Sequence, residues 1–437
     1  MRKIYRLVTV MVIALIGLTG CNDRKKVDYH VSEEEIITTE AVPEMETEVK
    51  YELTGGNYRI TVDATIELPE NYTNCSVISI SKDDFTDEDI KPMADKIFDE
   101  GSHFLYMPYT QEQIDFLNGK LSEILENTSD DELAWAINEE LFTLRYYEEY
   151  CLDENEDLVI EDYKFYRVKD EYISGSAEID LCVVMGTIDG ELYKLVFDNI
   201  DTGSKMSLSR FRDRYTKQYI SLADSAYEIS MYGNICSYSK EEAVELATEY
   251  IEGLGYTDYA VNMVNSLYET KWDYEPYEQT ENVNGYRICF GRNYKNYTVA
   301  YTDKSATTYD YQGVIDEFWE AIVVYVTDDG VIRFEVVNPR KFEEELSETT
   351  SMLSYEKIET IVNEFLTESR EESQNQLYCN VTGIKLAYGE EMSADGEIAL
   401  VPMWIYYYSN DTGSMFYIHE LVIINAIDGS IYRSPFF

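Results

Sequence analysis

The stretch Ser239-Lys-Glu-Glu-Ala-Val-Glu-Leu-Ala-Thr-Glu-Tyr-Ile-Glu-Gly-Leu254 carries its own helix start signal. Ser239 with Glu242 three residues on is a capping box, in which each side chain can satisfy the other residue's backbone N–H. Behind it Ala243, Leu246, Ala247, Tyr250, Ile251 and Leu254 recur at three- and four-residue intervals, on one helical face. Strand-rich sequence follows and closes in a hairpin, Ala321-Ile-Val-Val-Tyr-Val-Thr-Asp-Asp-Gly330-Val-Ile. Its Asp-Gly centre suits a two-residue turn with positive φ, which Gly adopts at little cost.

The pattern recurs downstream. Ser354 precedes Ile358, Ile361, Val362, Phe365 and Leu366, and the hairpin Leu421-Val-Ile-Ile-Asn-Ala-Ile-Asp-Gly429-Ser-Ile-Tyr closes that copy. A third hairpin, Cys182-Val-Val-Met-Gly-Thr-Ile-Asp-Gly190-Glu-Leu-Tyr, lies upstream of both. The first copy is the longer, and its extra residues are expected within Trp272–Asn284 or Asp303–Asp316. The chain is therefore read as α+β. Its expected parts are a signal peptide over 1–20, a disordered tether over 21–50 and an N-terminal α+β domain over 51–235. Two related helix-plus-antiparallel-sheet modules follow, over 236–345 and 346–437.

Within the N-terminal part, Tyr58, Ile60, Val62, Ala64, Ile66 and Leu68 alternate with polar residues, the period of a half-buried strand. A second strand is expected over Ser76–Ile80. Thr86-Asp-Glu-Asp89 opens a helix that runs to Phe98, Ile114–Glu126 reads as helix, and Ser129-Asp-Asp-Glu132 opens another.

The first residues give an address. Arg2, Lys3 and Arg6 precede an uncharged apolar run, Leu7 to Leu18, that ends in Leu18-Thr19-Gly20-Cys21. A bilayer needs about 20 apolar residues, so the run reads as the apolar region of a signal peptide. Leu-Thr-Gly-Cys resembles the bacterial lipobox, which implies that Cys21 is alkylated by a diacylglyceryl group and becomes the mature N-terminus. Acyl chains add about 0.8 kcal/mol per buried CH₂, so the expected place is the extracellular side of the cell membrane, lipid-anchored. The net charge of −50 repels nucleic acid and anionic lipid. Cys75, Cys151, Cys182, Cys236, Cys289 and Cys379 are irregularly spaced with no CxxC pair, and are expected to be mostly free, buried thiols.

A helix followed by antiparallel strands resembles extracellular PepSY-like modules. Val401-Pro-Met-Trp404 with Ile424-Asn-Ala-Ile-Asp-Gly429-Ser-Ile-Tyr is similar to the closing strands of YycH/YycI-type accessory proteins. In chain order the whole resembles uncharacterised surface lipoproteins of clostridia. The YycH/YycI group is anchored by a transmembrane helix and modulates a sensor kinase. This chain departs from it in carrying a lipid signal, and the resemblance supplies no catalytic residues.

Candidate chemistry is sparse. Of three histidines, His30 falls in the tether and His103 follows Gly101-Ser102 after a helix. His419-Glu420 begins like a zinc-protease helix, but position 423 is Ile where the second His must stand. Asp153-Glu-Asn155-Glu-Asp157 imitates the first ligands of an EF-hand loop, yet Leu158 replaces the turn glycine and Lys164 the closing acid. No nucleophile elbow or phosphate loop is present. The 40 tyrosines cluster at Tyr146-Tyr147, at Tyr294, Tyr297 and Tyr301, and at Tyr406-Tyr407-Tyr408. They suit strand faces, with a remainder able to line a groove for peptide or glycan. The expectation is a non-enzymatic binding or regulatory protein of the envelope with no metal and no cofactor, its partners the membrane through Cys21 and an envelope protein or peptide. The alternatives are a tyrosine-rich peptide- or glycan-binding surface protein and a carboxylate-based hydrolase.

Overall fold

Tyr58 to Glu67 does form a strand, with Tyr58, Ile60, Val62, Ala64 and Ile66 buried and the residues between them facing out. The computed structural model describes residues 47–69, 72, 75–150, 159–169, 178–200, 203–213, 217–222, 234–273, 278–294, 297–300, 319–347, 351–372, 377–392, 397–410 and 419–433. The signal segment, Cys21, His30, Cys151, the Asp153–Asp157 loop and Tyr301 lie outside them.

The chain begins with β1 (Glu48–Thr54), β2 (Tyr58–Glu67) and β3 (Ile78–Lys82), then α1 (Asp87–Ile97) and β4 (Phe104–Leu105). Two helices, α2 (Gln111–Asn127) and α3 (Asp131–Tyr150), precede β5 (Tyr166–Lys169), β6 (Glu178–Ile188), β7 (Glu191–Ile200), β8 (Gly203–Arg210) and β9 (Lys217–Leu222). Next come α4 (Lys240–Leu254), β10 (Tyr259–Asp273), β11 (Glu278–Tyr294), β12 (Tyr297–Thr298), β13 (Ala321–Thr327), β14 (Gly330–Val337) and β15 (Arg340–Glu345). The last group is α5 (Tyr355–Glu372), β16 (Leu377–Met392), β17 (Ile398–Asn410), β18 (His419–Asn425) and β19 (Ile431–Arg433). The fold is α+β, with strands outweighing helices.

Helix starts follow the cap residues. Ser239 N–H donates to Glu242 Oε2 at 2.8 Å while Glu242 N–H donates to Ser239 Oγ at 3.2 Å, the complete capping box. Thr86 N–H donates to Asp89 at 2.8 Å. At α3 the cap is one residue later than Ser129: Asp130 Oδ1 accepts from the N–H groups of Glu132 and Leu133 at 2.9 and 3.0 Å.

Three units repeat one order of pairing. Strands β5-β6-β7-β8, β10-β11-β13-β14 and β16-β17-β18-β19 are each antiparallel meanders, and each comes after helical sequence. The excess residues of the middle unit lie between β11 and β13, not in the Trp272–Asn284 hairpin, where β10 and β11 are paired as far as Asp273 and Glu278.

Sheet membership cuts across the 51–235, 236–345 and 346–437 division. Strand β8 pairs with β14, so the first two meanders form one 11-stranded sheet. Strands β1 to β3 leave the N-terminal part and join an 8-stranded sheet with β15 and the last meander, β2 pairing in parallel with β16. The apolar face of the larger sheet, with Phe197, Met206, Phe334, Val324 and Phe290, packs on α1 and α4. That of the smaller, with Ile60, Val62, Ile384 and Tyr406, packs on α5.

The turns differ although their sequences match. Ile188 pairs with Glu191, and Asp189 (φ 52°) with Gly190 (φ 80°) fill a two-residue turn of positive φ as expected. In the middle unit Thr327 pairs with Gly330, so Asp328-Asp329 are the central pair and Gly330 (φ 85°) follows them with a register shift in the ladder. At the last hairpin Ile424 pairs with Ile431, and Asp428-Gly429 sits inside a longer connection.

Candidate functional site

The face of the larger sheet turned away from α1 and α4 carries charged residues beside a small buried apolar cluster of Leu267, Cys289, Ala321, Val323 and Ile332. Cross-strand register sets Asp198 opposite Lys205, and Ser207 opposite Glu335. It also lines up Arg287, Tyr325 and Arg333 in one row across β11, β13 and β14. The row straddles no loop: it is held by the ladder itself, next to the β8–β14 seam between two meanders.

Glu335 is buried and receives Arg333 Nε at 3.0 Å and Lys205 Nζ at 3.2 Å. Burial alone would raise its carboxyl, but Lys205 and Arg333 outweigh it and hold the group down at about 2. Asp198 responds the other way. Burial pushes it up to about 6, Lys205 opposing and Glu335 adding to the rise. The two carboxyls on one face thus differ in charge state at mildly acidic pH. Tyr325 lies 5.0 Å from the Arg333 guanidinium and 6.0 Å from that of Arg287, within cation–π range of both. Solvent reaches this face at Lys205 and Arg333, whose side chains are 37% and 42% exposed.

A second charged cluster is sealed. Where the chain enters β13, Glu320 Oε1 accepts from Tyr259 O–H at 2.9 Å and from Arg340 N–H at 2.8 Å, and lies 3.3 Å from Arg292. Glu390 of β16 accepts from Arg340 Nε and Nη2 at 2.9 and 2.7 Å and from Glu320 N–H at 2.6 Å. Glu320, Arg340 and Glu390 are 1%, 2% and 4% exposed, so no substrate reaches them without opening the protein. The cluster ties the two sheets together, because Glu320 leads directly into β13 of one while Arg340 and Glu390 lie in β15 and β16 of the other. Burial pushes the Glu320 carboxyl up to about 7 against the pull of Arg292, and its Oε2 meets no donor among the described residues.

The residues singled out from the sequence do not converge. His103 donates or accepts between Asp95 and Tyr163, at 2.8 Å from each. His419 heads a strand paired with Tyr408, so the helix a zinc protease needs is not formed there. Cys75 and Cys182 are free and buried, Cys236 is free and half-buried, and Cys289 and Cys379 are buried. Burial pushes the Cys75 and Cys182 thiols up to about 12, which makes them packing groups rather than nucleophiles. Most clustered tyrosines are core: Tyr297 packs on Tyr388 with ring centroids 5.0 Å apart, and Tyr406 and Tyr408 are buried. Tyr146 is 40% exposed. Among the described residues no group of three or more His, Cys, Asp or Glu is placed to hold a metal ion. No helix among them is long and apolar enough to cross a membrane. Sequence reading missed the charged row entirely. The only trace of it was Arg and Glu at alternate positions of Val331-Ile-Arg-Phe-Glu335, which single-sequence periodicity treats as a solvent face.

No family model matches the chain, and no curated protein matches it. Among solved structures it is similar to an uncharacterised protein from Eubacterium rectale, at 12% identity and a TM-score of 0.45, over 89% of this chain and 94% of that one. It is also similar to the C-terminal domain of Bacillus megaterium YpeB, at 10% identity and a TM-score of 0.23, over 58% of this chain and 88% of that one.

Proposed function

We propose that this chain is a protein lipid-anchored on the extracellular side of the cell membrane, whose PepSY-like meanders form a non-enzymatic binding or regulatory body. The observation that supports the binding half is the Arg287–Tyr325–Arg333 row. Two guanidinium groups flank one aromatic ring on a rigid sheet face, in a protein whose net charge is −50. Arg287 and Tyr325 are only 6% and 8% exposed, so the row meets a partner through its exposed end, Arg333, and the neighbouring Lys205, whose charges suit a carboxylate-bearing peptide or protein segment. The anchoring half is supported by Leu18-Thr19-Gly20-Cys21.

One observation favours a second reading, a carboxylate-based hydrolase. Asp198 near 6 and Glu335 near 2 are a pair whose environments push them apart, the pattern of an acid beside a base. Both readings meet one experiment on intact cells, with a photocrosslinking residue in place of Ser209, which pairs opposite Arg333 and leaves the row intact. The binding reading expects Cys21→Ser to move the protein from the membrane to the medium and to abolish an envelope crosslink that Asp198→Asn leaves intact. A membrane-retained Cys21→Ser chain defeats the anchor. Turnover of a glycan or peptide library that Asp198→Asn abolishes favours the hydrolase instead.

A further inference from the structure

Among the described residues, strand β1 is an open edge with a self-complementary sequence. All seven residues of β1, from Glu48 to Thr54, pair with β2 in an unbroken antiparallel register, and among the described residues β1 pairs with no other strand. Thr47 C=O accepts from Ile66 N–H at 2.8 Å. Backbone groups alternate in direction along an antiparallel ladder, so Thr47, Val49, Tyr51 and Leu53 bond β2, while Glu48, Lys50, Glu52 and Thr54 turn their N–H and C=O outward. Edges of this kind are usually blunted by proline, a bulge or several lysines. Here β1 contains no proline and no bulge, and Lys50 is its one basic residue. Its side chains alternate too: Val49, Tyr51 and Leu53 pack on the α5 side, and Glu48, Lys50, Glu52 and Thr54 are exposed.

We infer that β1 is a homodimerisation strand, pairing antiparallel with β1 of a second copy about a two-fold axis through Tyr51. The occupant follows from register. A shift by an odd number of residues sets the apolar face against the polar one and is ruled out by burial. Centring on Lys50 places Lys50 opposite itself and Glu48 opposite Glu52. Centring on Glu52 places two glutamates face to face. Centring on Tyr51 sets Lys50 opposite the partner's Glu52 twice over, Glu48 opposite Thr54 and Val49 opposite Leu53. It also makes the Lys50–Glu52 and Glu48–Thr54 pairs the hydrogen-bonded ones, because those residues carry the outward backbone groups. Centring on Val49 also sets Glu48 opposite Lys50 but pairs only three of the seven residues of β1 with each other, so the Tyr51 register is the one that matches charge, face and hydrogen bonding over the whole strand. Lys50 and Glu52 keep their own-chain partners, Asp63 and Arg59, both at 3.0 Å on exposed surface. The pairing stands on the strand alone and does not depend on the lipid anchor.

The test uses the full chain in native membranes and, separately, the purified Cys21→Ser chain across a concentration series. Directly opposed non-hydrogen-bonded positions lie about 4.5 Å apart at Cα, within disulfide reach. Mild oxidation should crosslink Tyr51→Cys to itself, while Val49→Cys and Leu53→Cys, each facing the other's position, should not crosslink alone. Glu52→Lys opposes Lys50 with a like charge at both ends and should weaken dimerisation about tenfold in light scattering or sedimentation. The exchange Lys50→Glu with Glu52→Lys should restore it. A chain that stays monomeric in both settings overturns the inference, as does equal crosslinking from all three positions or a charge exchange that fails to rescue. Since the charge variants alter only exposed side chains, circular dichroism of each keeps misfolding separate from loss of pairing.

Discussion

Glu320 carries a consequence for pH. Its carboxyl is held at about 7 by burial, against an ordinary glutamate value near 4.5. Between those values the folded chain keeps a proton that the unfolded chain has released. Stability attributable to this group is therefore greatest below about pH 4.5, falls as pH rises, and is fully lost above about 7. The groups around it set the size. Arg292, the Arg340 backbone and Tyr259 favour the anion, whereas burial above all, and Glu390, disfavour it, so a swing of roughly 1–3 kcal/mol is expected. Glu320→Gln keeps the shape and an acceptor oxygen but cannot ionise. Melting curves from pH 5 to 8 should show the parent chain losing stability relative to Glu320→Gln as pH rises. Parallel pH profiles would show that the carboxyl does not titrate in that window.

At the scale of elements, the helix starts were legible and the hairpin details were not. Ser239 and Glu242 satisfy backbone groups within four residues, an interaction set by local sequence alone, and α4 begins where they predict. Ser239→Ala should cost about 1 kcal/mol in urea unfolding, with the slope unchanged. A cost near zero would mean that packing of Ala243, Ala247 and Ile251 on the sheet holds the helix start unaided. The three Asp-Gly turns show the opposite. Ile188-Asp-Gly-Glu191 makes the two-residue turn, but Asp329 at the middle hairpin is drawn to Arg210 and Arg212 at 2.7 and 3.2 Å, contacts with residues distant in sequence. Turn chemistry allowed several loop forms, and tertiary partners chose among them. Likewise the charged row could not be read in advance, because Arg287, Tyr325 and Arg333 become neighbours only through strand register.

For the whole molecule, the joint between sheets is the point of leverage. Arg340 and Glu390 form a buried pair with two short contacts, and removing one partner strands the other's charge. Arg340→Met should cost about 3–5 kcal/mol in denaturant unfolding, and the double variant with Glu390→Gln should recover a large part of it, because no uncompensated charge remains. A double variant as unstable as the single one would point to lost packing rather than electrostatics. The sequence by itself determined the α+β class, the capped helices, the alternating strands and the helix-then-meander order, since these rest on interactions between residues close along the chain. Tertiary structure alone decided that β1 to β3 cross to the last meander, that β8 and β14 fuse two meanders into one sheet, and that Glu320, Arg340 and Glu390 meet. Those outcomes depend on which strand edges find one another, and hydrophobic period specifies the face of a strand while leaving its neighbour open.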